Sequence, residues 1–149
     1  MTEIIKLKSG SLYEDRNSYS RIFMIGDQIF VSNTAGIDYT TREISPDVAQ
    51  QARKALQNIN GALQAVGSSL ADTVRIITHV PTSTDMPAVA AVLGETFRNI
   101  DPAGTMVCTP LARRELKVEF EVTAIRGRPA CLQNIFVRLS DCSFKGGSG

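Results

Sequence analysis

The sequence predicts an α+β domain in which a single mixed β-sheet carries two helices packed on one of its faces. Two observations predict it: strand-like runs with alternating or β-branched patterning, and two longer runs whose apolar residues recur at steps of three and four. Their order is β-β-α-β-α-β-β. A length of 149 residues with 43% hydrophobic content suits one domain with a continuous core.

The first two strands form a hairpin, YSRIFMI and QIFVSNT, across Gly26-Asp27, a dipeptide suited to the positive φ of a two-residue turn. A Thr- and Asp-rich loop follows. Ser45-Pro46-Asp47 then reads as an N-cap, a proline at the first helical position and a carboxylate at the positive end of the dipole. In the helix, Val48, Ala52, Leu56, Ile59, Leu63 and Val66 share a face, and Gly67 stops it. Thr73 to Val80 is β-branched and strand-like. Thr84-Asp85 caps a second helix with Val89, Val92, Leu93 and Phe97 on one face, and Asn99 and Pro102 bracket its end.

The last strands are Thr105 to Thr109 and Lys117 to Arg126, joined by LARRE. In the latter, Val118, Phe120, Val122 and Ala124 point one way, toward the helices, while Lys117, Glu119, Glu121 and Thr123 point the other. That second sheet face must also carry apolar residues: Phe23 or Ile22, Phe30 or Ile29, and Ile77. A face of mixed character predicts cover by another subunit, hence an oligomer.

Sixteen Lys and Arg against fifteen Asp and Glu leave a charge of +1, too little to draw nucleic acid or an anionic membrane, so the expected partner is a small molecule. No apolar run has signal-peptide or membrane-span length, which predicts a soluble, cytoplasmic protein. Cys108, Cys131 and Cys142 are odd in number and lack C-x-x-C spacing, so they read as reduced thiols with no zinc site. The segment ACLQNIFVRLSDCSF either adds a strand or docks as a tail, and KGGSG reads as a linker or tag scar.

The segments SYSRIFMIGDQIFVSNTAGID, QARKALQNINGALQAVGSSLADTVRIITHV, FRNIDPAGTMV and KVEFEVTAIRG together resemble the Rid/YjgF family of imine and enamine deaminases, also called endoribonuclease L-PSP-like, over about Ser18 to Gly127. The resemblance implies a chorismate-mutase-like fold, a homotrimer with pockets between subunits, water addition to a C=N carbon with release of ammonia, and no metal or organic cofactor. It divides the chain into a Rid-like domain at 1–128, a C-terminal extension at 129–144 and the scar at 145–149. It places a pocket tyrosine on Tyr19, a hairpin serine on Ser32 and the water-positioning acid on Glu119.

The chain departs from the family where active members read Pro-Ala-Arg. Here Pro102-Ala103-Gly104 stands, without the arginine that pairs with a substrate carboxylate. Ser32-Asn33 replaces a Ser-Gly element, and Asn17-Ser18 a Gly-Pro turn. Gly104, Thr105 and Met106 are read as pocket wall together with Asn33. Arg113 is a candidate replacement for the anchor, with Arg114 and Arg21 as others.

Tyr19 either donates its hydroxyl to a ligand or packs its ring at a boundary. Glu121 is read as a salt-bridge partner, Cys108 as a small buried hydrophobe rather than a thiolate, and the lone His79 as structural. The expected activity is hydrolysis of an imine, enamine or similarly reactive metabolite. The alternative is a non-catalytic trimeric binding module, while RNA cleavage lacks paired titrating groups and aromatic interleaving.

Overall fold

A computed structural model describes residues 2–129 and 133–136. The elements in chain order are β1 (Ile4–Leu7), α1 (Leu12–Arg16), β2 (Ile22–Ile25), β3 (Gln28–Ala35), α2 (Val48–Gln64), β4 (Thr73–Val80), α3 (Met86–Thr96), β5 (Ala103–Cys108) and β6 (Glu119–Ile125). The six strands form one mixed sheet in the order β1-β2-β3-β6-β4-β5, antiparallel throughout except for the parallel pair β4 and β5.

The expected hairpin, the two longer helices and the three later strands are all present. The expectation of five strands and two helices is corrected by β1 and α1. Four residues of strand and five of helix are too short to show a period, and β1 is an edge strand paired only with β2. The cap of α2 is also corrected: Asp47 is the N-cap residue, its carboxylate accepting from the Gln50 amide at 2.8 Å. The Ser45 hydroxyl instead donates to the Gln50 side chain at 2.9 Å. In the hairpin turn only Gly26 has positive φ, the pattern of a turn with glycine first.

Ile22, Met24, Ile29, Phe120 and Val122 project from the sheet into a core closed by Ala52, Leu56, Ile59 and Leu63 of α2 and Val89 and Val92 of α3. On the other face Phe23 lies opposite Phe30, and Phe30, Ile25 and Val107 are exposed. Residues 130–132 and 137–149, with Cys131, Cys142 and most of the expected C-terminal extension, lie outside the described residues.

Two contacts join α2 to the strands that matter below. A Cβ at Gly36 would sit 2.1 Å from the Gln51 carbonyl oxygen, so only glycine lets the chain leaving β3 run this close to the helix. The fully buried Gln51 donates to the carbonyls of Ser45 (2.7 Å) and Glu115 (2.8 Å) and accepts from the Lys117 amide (2.8 Å). This side chain fixes the entry to β6, two residues ahead of Glu119. Gln51→Leu removes the partner of three part-buried backbone groups, and urea denaturation should show a loss of about 2 to 4 kcal/mol. A loss under about 1 kcal/mol would mean water takes over those bonds.

Candidate functional site

The site begins at an irregularity in β3. Val31 pairs with Val122 and Thr34 with Phe120, so Ser32 and Asn33 together face the single step at Glu121. One extra residue of this kind bends a strand and re-aims its side chains, leaving backbone groups outside the ladder. The Arg21 guanidinium takes up the Asn33 carbonyl, donating to it from its Nη1 atom at 2.9 Å, and the same atom donates to the Thr34 hydroxyl at 2.9 Å. The Ser32 amide donates to the Arg21 carbonyl (3.0 Å), and the Ser32 hydroxyl to the Ser20 carbonyl (2.7 Å).

Arg21 is buried, and its charge is balanced by the fully buried Glu14 of α1, whose Oε1 accepts from Arg21 Nε at 3.0 Å. The remaining capacity of Glu14 is filled by the Ser9 amide (2.8 Å) and hydroxyl (2.6 Å). The element that no periodicity announced therefore supplies the counter-ion for the bulge. The Arg21 guanidinium also lies 5.8 Å from the centre of the Tyr19 ring, within cation–π range.

The bulge brings the Asn33 side chain to Glu119, and its amide donates to Glu119 Oε2. Across the ladder on the other side, His79 of β4 stands opposite Glu119, with its Nδ1 buried and without a hydrogen-bond partner among the described residues. Burial pushes the Glu119 carboxyl above its ordinary value, against the opposing pull of the His79 and Arg21 charges.

Tyr19, Asn33, Arg113 and Glu119 line one cavity of about 560 Å³. Ser32 lies beside it, lining a second hollow with Tyr19, Asn33, Phe23, Phe30 and Glu121. Within one chain Gly104, Thr105 and Met106 line neither. They sit on β5, two strands from β6, and Gly104 pairs with the buried Ile76, whereas Glu119 pairs with His79 on the opposite face. The sequence reading missed Tyr13, Tyr39 and Arg42, which line the cavity from segments that carry no period.

Of the anchor candidates, Arg21 is engaged with Glu14 and the bulge. Arg113 is paired with Glu115, whose carboxyl is held below its ordinary value by its own backbone amide and by Arg113. Arg114 lies outside both cavities. Glu121 departs from expectation, making no salt bridge among the described residues. Cys108 departs too: it is exposed, at the sheet edge, with its thiol donating to the Pro81 carbonyl at 3.4 Å. Among the described residues no cluster of His, Cys, Asp and Glu could hold a metal, and no helix is long and apolar enough to cross a membrane.

This fold, with an acid on the central strand beside the end of the hairpin, defines a known class. Residues 12–126 match the family model described as Endoribonuclease L-PSP, and the chain belongs to that family, the Rid/YjgF family. It is 28% identical to a RutC family protein of Pyrococcus abyssi over 109 residues, 72% of this chain and 86% of the relative. It is 29% identical to the 2-iminobutanoate/2-iminopropanoate deaminase of Escherichia coli over 105 residues, 68% and 82% of the two chains. A Mycobacterium tuberculosis member of the YjgF/YER057c/UK114 family has a crystal structure that superposes with a TM-score of 0.76 at 33% identity, covering 83% of this chain and 99% of that one.

Removing one partner of a buried ion pair leaves the other uncompensated. Glu14→Ala should therefore cost about 3 to 5 kcal/mol in chemical denaturation. A loss under about 1 kcal/mol would show that Arg21 does not depend on Glu14.

Proposed function

We propose that this protein hydrolyses the C=N bond of a reactive imine, or of the imine tautomer of an enamine, with Glu119 positioning and deprotonating the attacking water. The observation that carries the reading is the Glu119 carboxyl itself, lining a cavity and raised above its ordinary value by burial. A base of higher pKa takes a proton from water more readily, and operates best near its own pKa. The names of the deaminase relatives support the same bond class.

A water O–H bond breaks toward Glu119 as its oxygen bonds to the imine carbon, and the C=N electrons move to nitrogen, which takes that proton back from Glu119. The carbinolamine hydroxyl then gives its proton to Glu119, which passes it to the nitrogen as the C–N bond breaks. Ammonia leaves and a carbonyl remains. Asn33 directs Glu119 through its amide, and Tyr19 provides a ring and a hydroxyl in the same cavity.

A homotrimer that completes the site between subunits is part of this proposal. Its support is the sheet face bearing Phe23, Phe30, Ile25 and Val107, which is unusual to leave in water. A second reading, a binding module without turnover, is favoured by the Asn33 amide, whose hydrogen bond to one Glu119 oxygen favours the charged carboxylate and makes that oxygen a weaker proton acceptor.

The test is ammonia release from freshly generated imines, with and without a carboxylate, against a buffer blank. Glu119→Gln should slow it by about 100-fold or more. Turnover that survives the change would place the base elsewhere. Absence of turnover on every imine, in a sample shown to be trimeric by sedimentation equilibrium, would favour the binding module. A monomer at micromolar concentration would remove the intersubunit part of the proposal.

A further inference from the structure

All three tyrosines of the chain, Tyr13, Tyr19 and Tyr39, meet in the cavity that holds Glu119. They come from three separate segments: α1, the turn before β2, and the loop between β3 and α2. Leu12, Ile37 and Leu116 add apolar wall. Rings from separate segments around an apolar wall make a space for a flat, apolar group.

The cavity also holds arginines of unequal availability. Arg21 is neutralised by Glu14 and Arg113 by Glu115. Arg42 lines the same cavity, is exposed, and has no ion-pair partner among the described residues.

The loop that presents Arg42 is tightly built. Ile37 bridges to Ile44, the Asp38 amide donates to the Glu43 carbonyl (2.9 Å), and the Arg42 amide donates to the Asp38 carbonyl (2.8 Å). The Asp38 carboxylate accepts from the amides of Thr40 (2.8 Å) and Thr41 (3.0 Å), and Lys54 of α2 closes it at 2.8 Å. Within this loop Arg42 is held at φ 67°, a left-handed conformation that a side chain as long as arginine adopts only when its surroundings impose it.

We propose that Arg42 is the anion-binding residue of this cavity and that its ligand is a small carboxylate carrying a ring, the carboxylate on Arg42 and the ring among Tyr13, Tyr19 and Tyr39. The guanidinium pairs two-pronged with a carboxylate, so the function of the arginine missing from position 104 is met from a different element. The proposal rests on the cavity around Glu119 as the ligand site and does not depend on turnover.

Calorimetric titration with unreactive probes tests charge and ring separately: 3-phenylpropanoate, propanoate, and the neutral 3-phenylpropanamide. The expected result is that 3-phenylpropanoate binds at least about tenfold tighter than either of the others, since one charge-assisted pair or one buried ring is worth about that much. Arg42→Gln should weaken 3-phenylpropanoate about tenfold or more and leave the amide unchanged, Arg42→Lys should recover part of the loss, and Tyr39→Leu should lower the preference over propanoate. No binding of 3-phenylpropanoate, equal binding of acid and amide, or a loss seen in Arg113→Gln but not in Arg42→Gln would overturn the proposal. Binding that depends on Arg42 in a protein that hydrolyses no imine would leave this inference standing and overturn the proposed hydrolysis. Hydrolysis with binding indifferent to Arg42 would do the reverse.

Discussion

The buried pair of Glu14 and Arg21 is the interaction on which the site depends. A bulge in a central strand leaves backbone groups without ladder partners, and the Arg21 guanidinium, a rigid fork of donors, binds the Asn33 carbonyl and the Thr34 hydroxyl together. Burying that charge is unfavourable unless an anion is buried with it, and α1 supplies the anion. The cost of two desolvated charges is offset by a strand that can hold one extra residue in one conformation. That residue count turns the Asn33 side chain toward Glu119.

Glu119 is set by three strands. The bulged β3 supplies an amide from one side, and β4 supplies His79 from the other. Burial raises the acid above its ordinary value, and the neighbouring His79 and Arg21 restrain the rise. The loop after β3 carries its own cation and its own ring, both braced by Asp38, whose carboxyl is held well below the usual range chiefly by Lys54.

The main architecture was legible because its elements are long enough to show a period. Seventeen residues of α2 and eight of β4 announce themselves, whereas four of β1 and five of α1 cannot. The sheet's two faces were readable from the alternation through Phe120, Val122 and Ala124 against Glu119 and Glu121. The bulge was not, because a single extra residue in a run as polar as Ser32-Asn33-Thr34 leaves no mark on hydrophobic patterning. His79 reads as an isolated histidine until the register places it opposite Glu119, forty residues further along. Tyr19 and Glu119 were named from resemblance, while Tyr39 and Arg42 sit where chain direction is set by Asp38 hydrogen bonds and not by burial.

The most direct test of this account is the titration of Glu119 itself, followed through its side-chain carboxyl carbon by NMR. If the bulge, Asn33 and the surrounding strands desolvate this group, its folded-state pKa lies above the unfolded value. It then holds its proton across a window where an unfolded chain has released it, and folding stability falls as pH rises through that window. The account predicts a midpoint above that of an ordinary glutamate, with Glu119→Gln stabilising the protein on the alkaline side of the midpoint and losing that advantage in acid. A midpoint at or below the ordinary glutamate value would contradict it, because the acid at the centre of the site would then be solvated rather than desolvated by the strands around it.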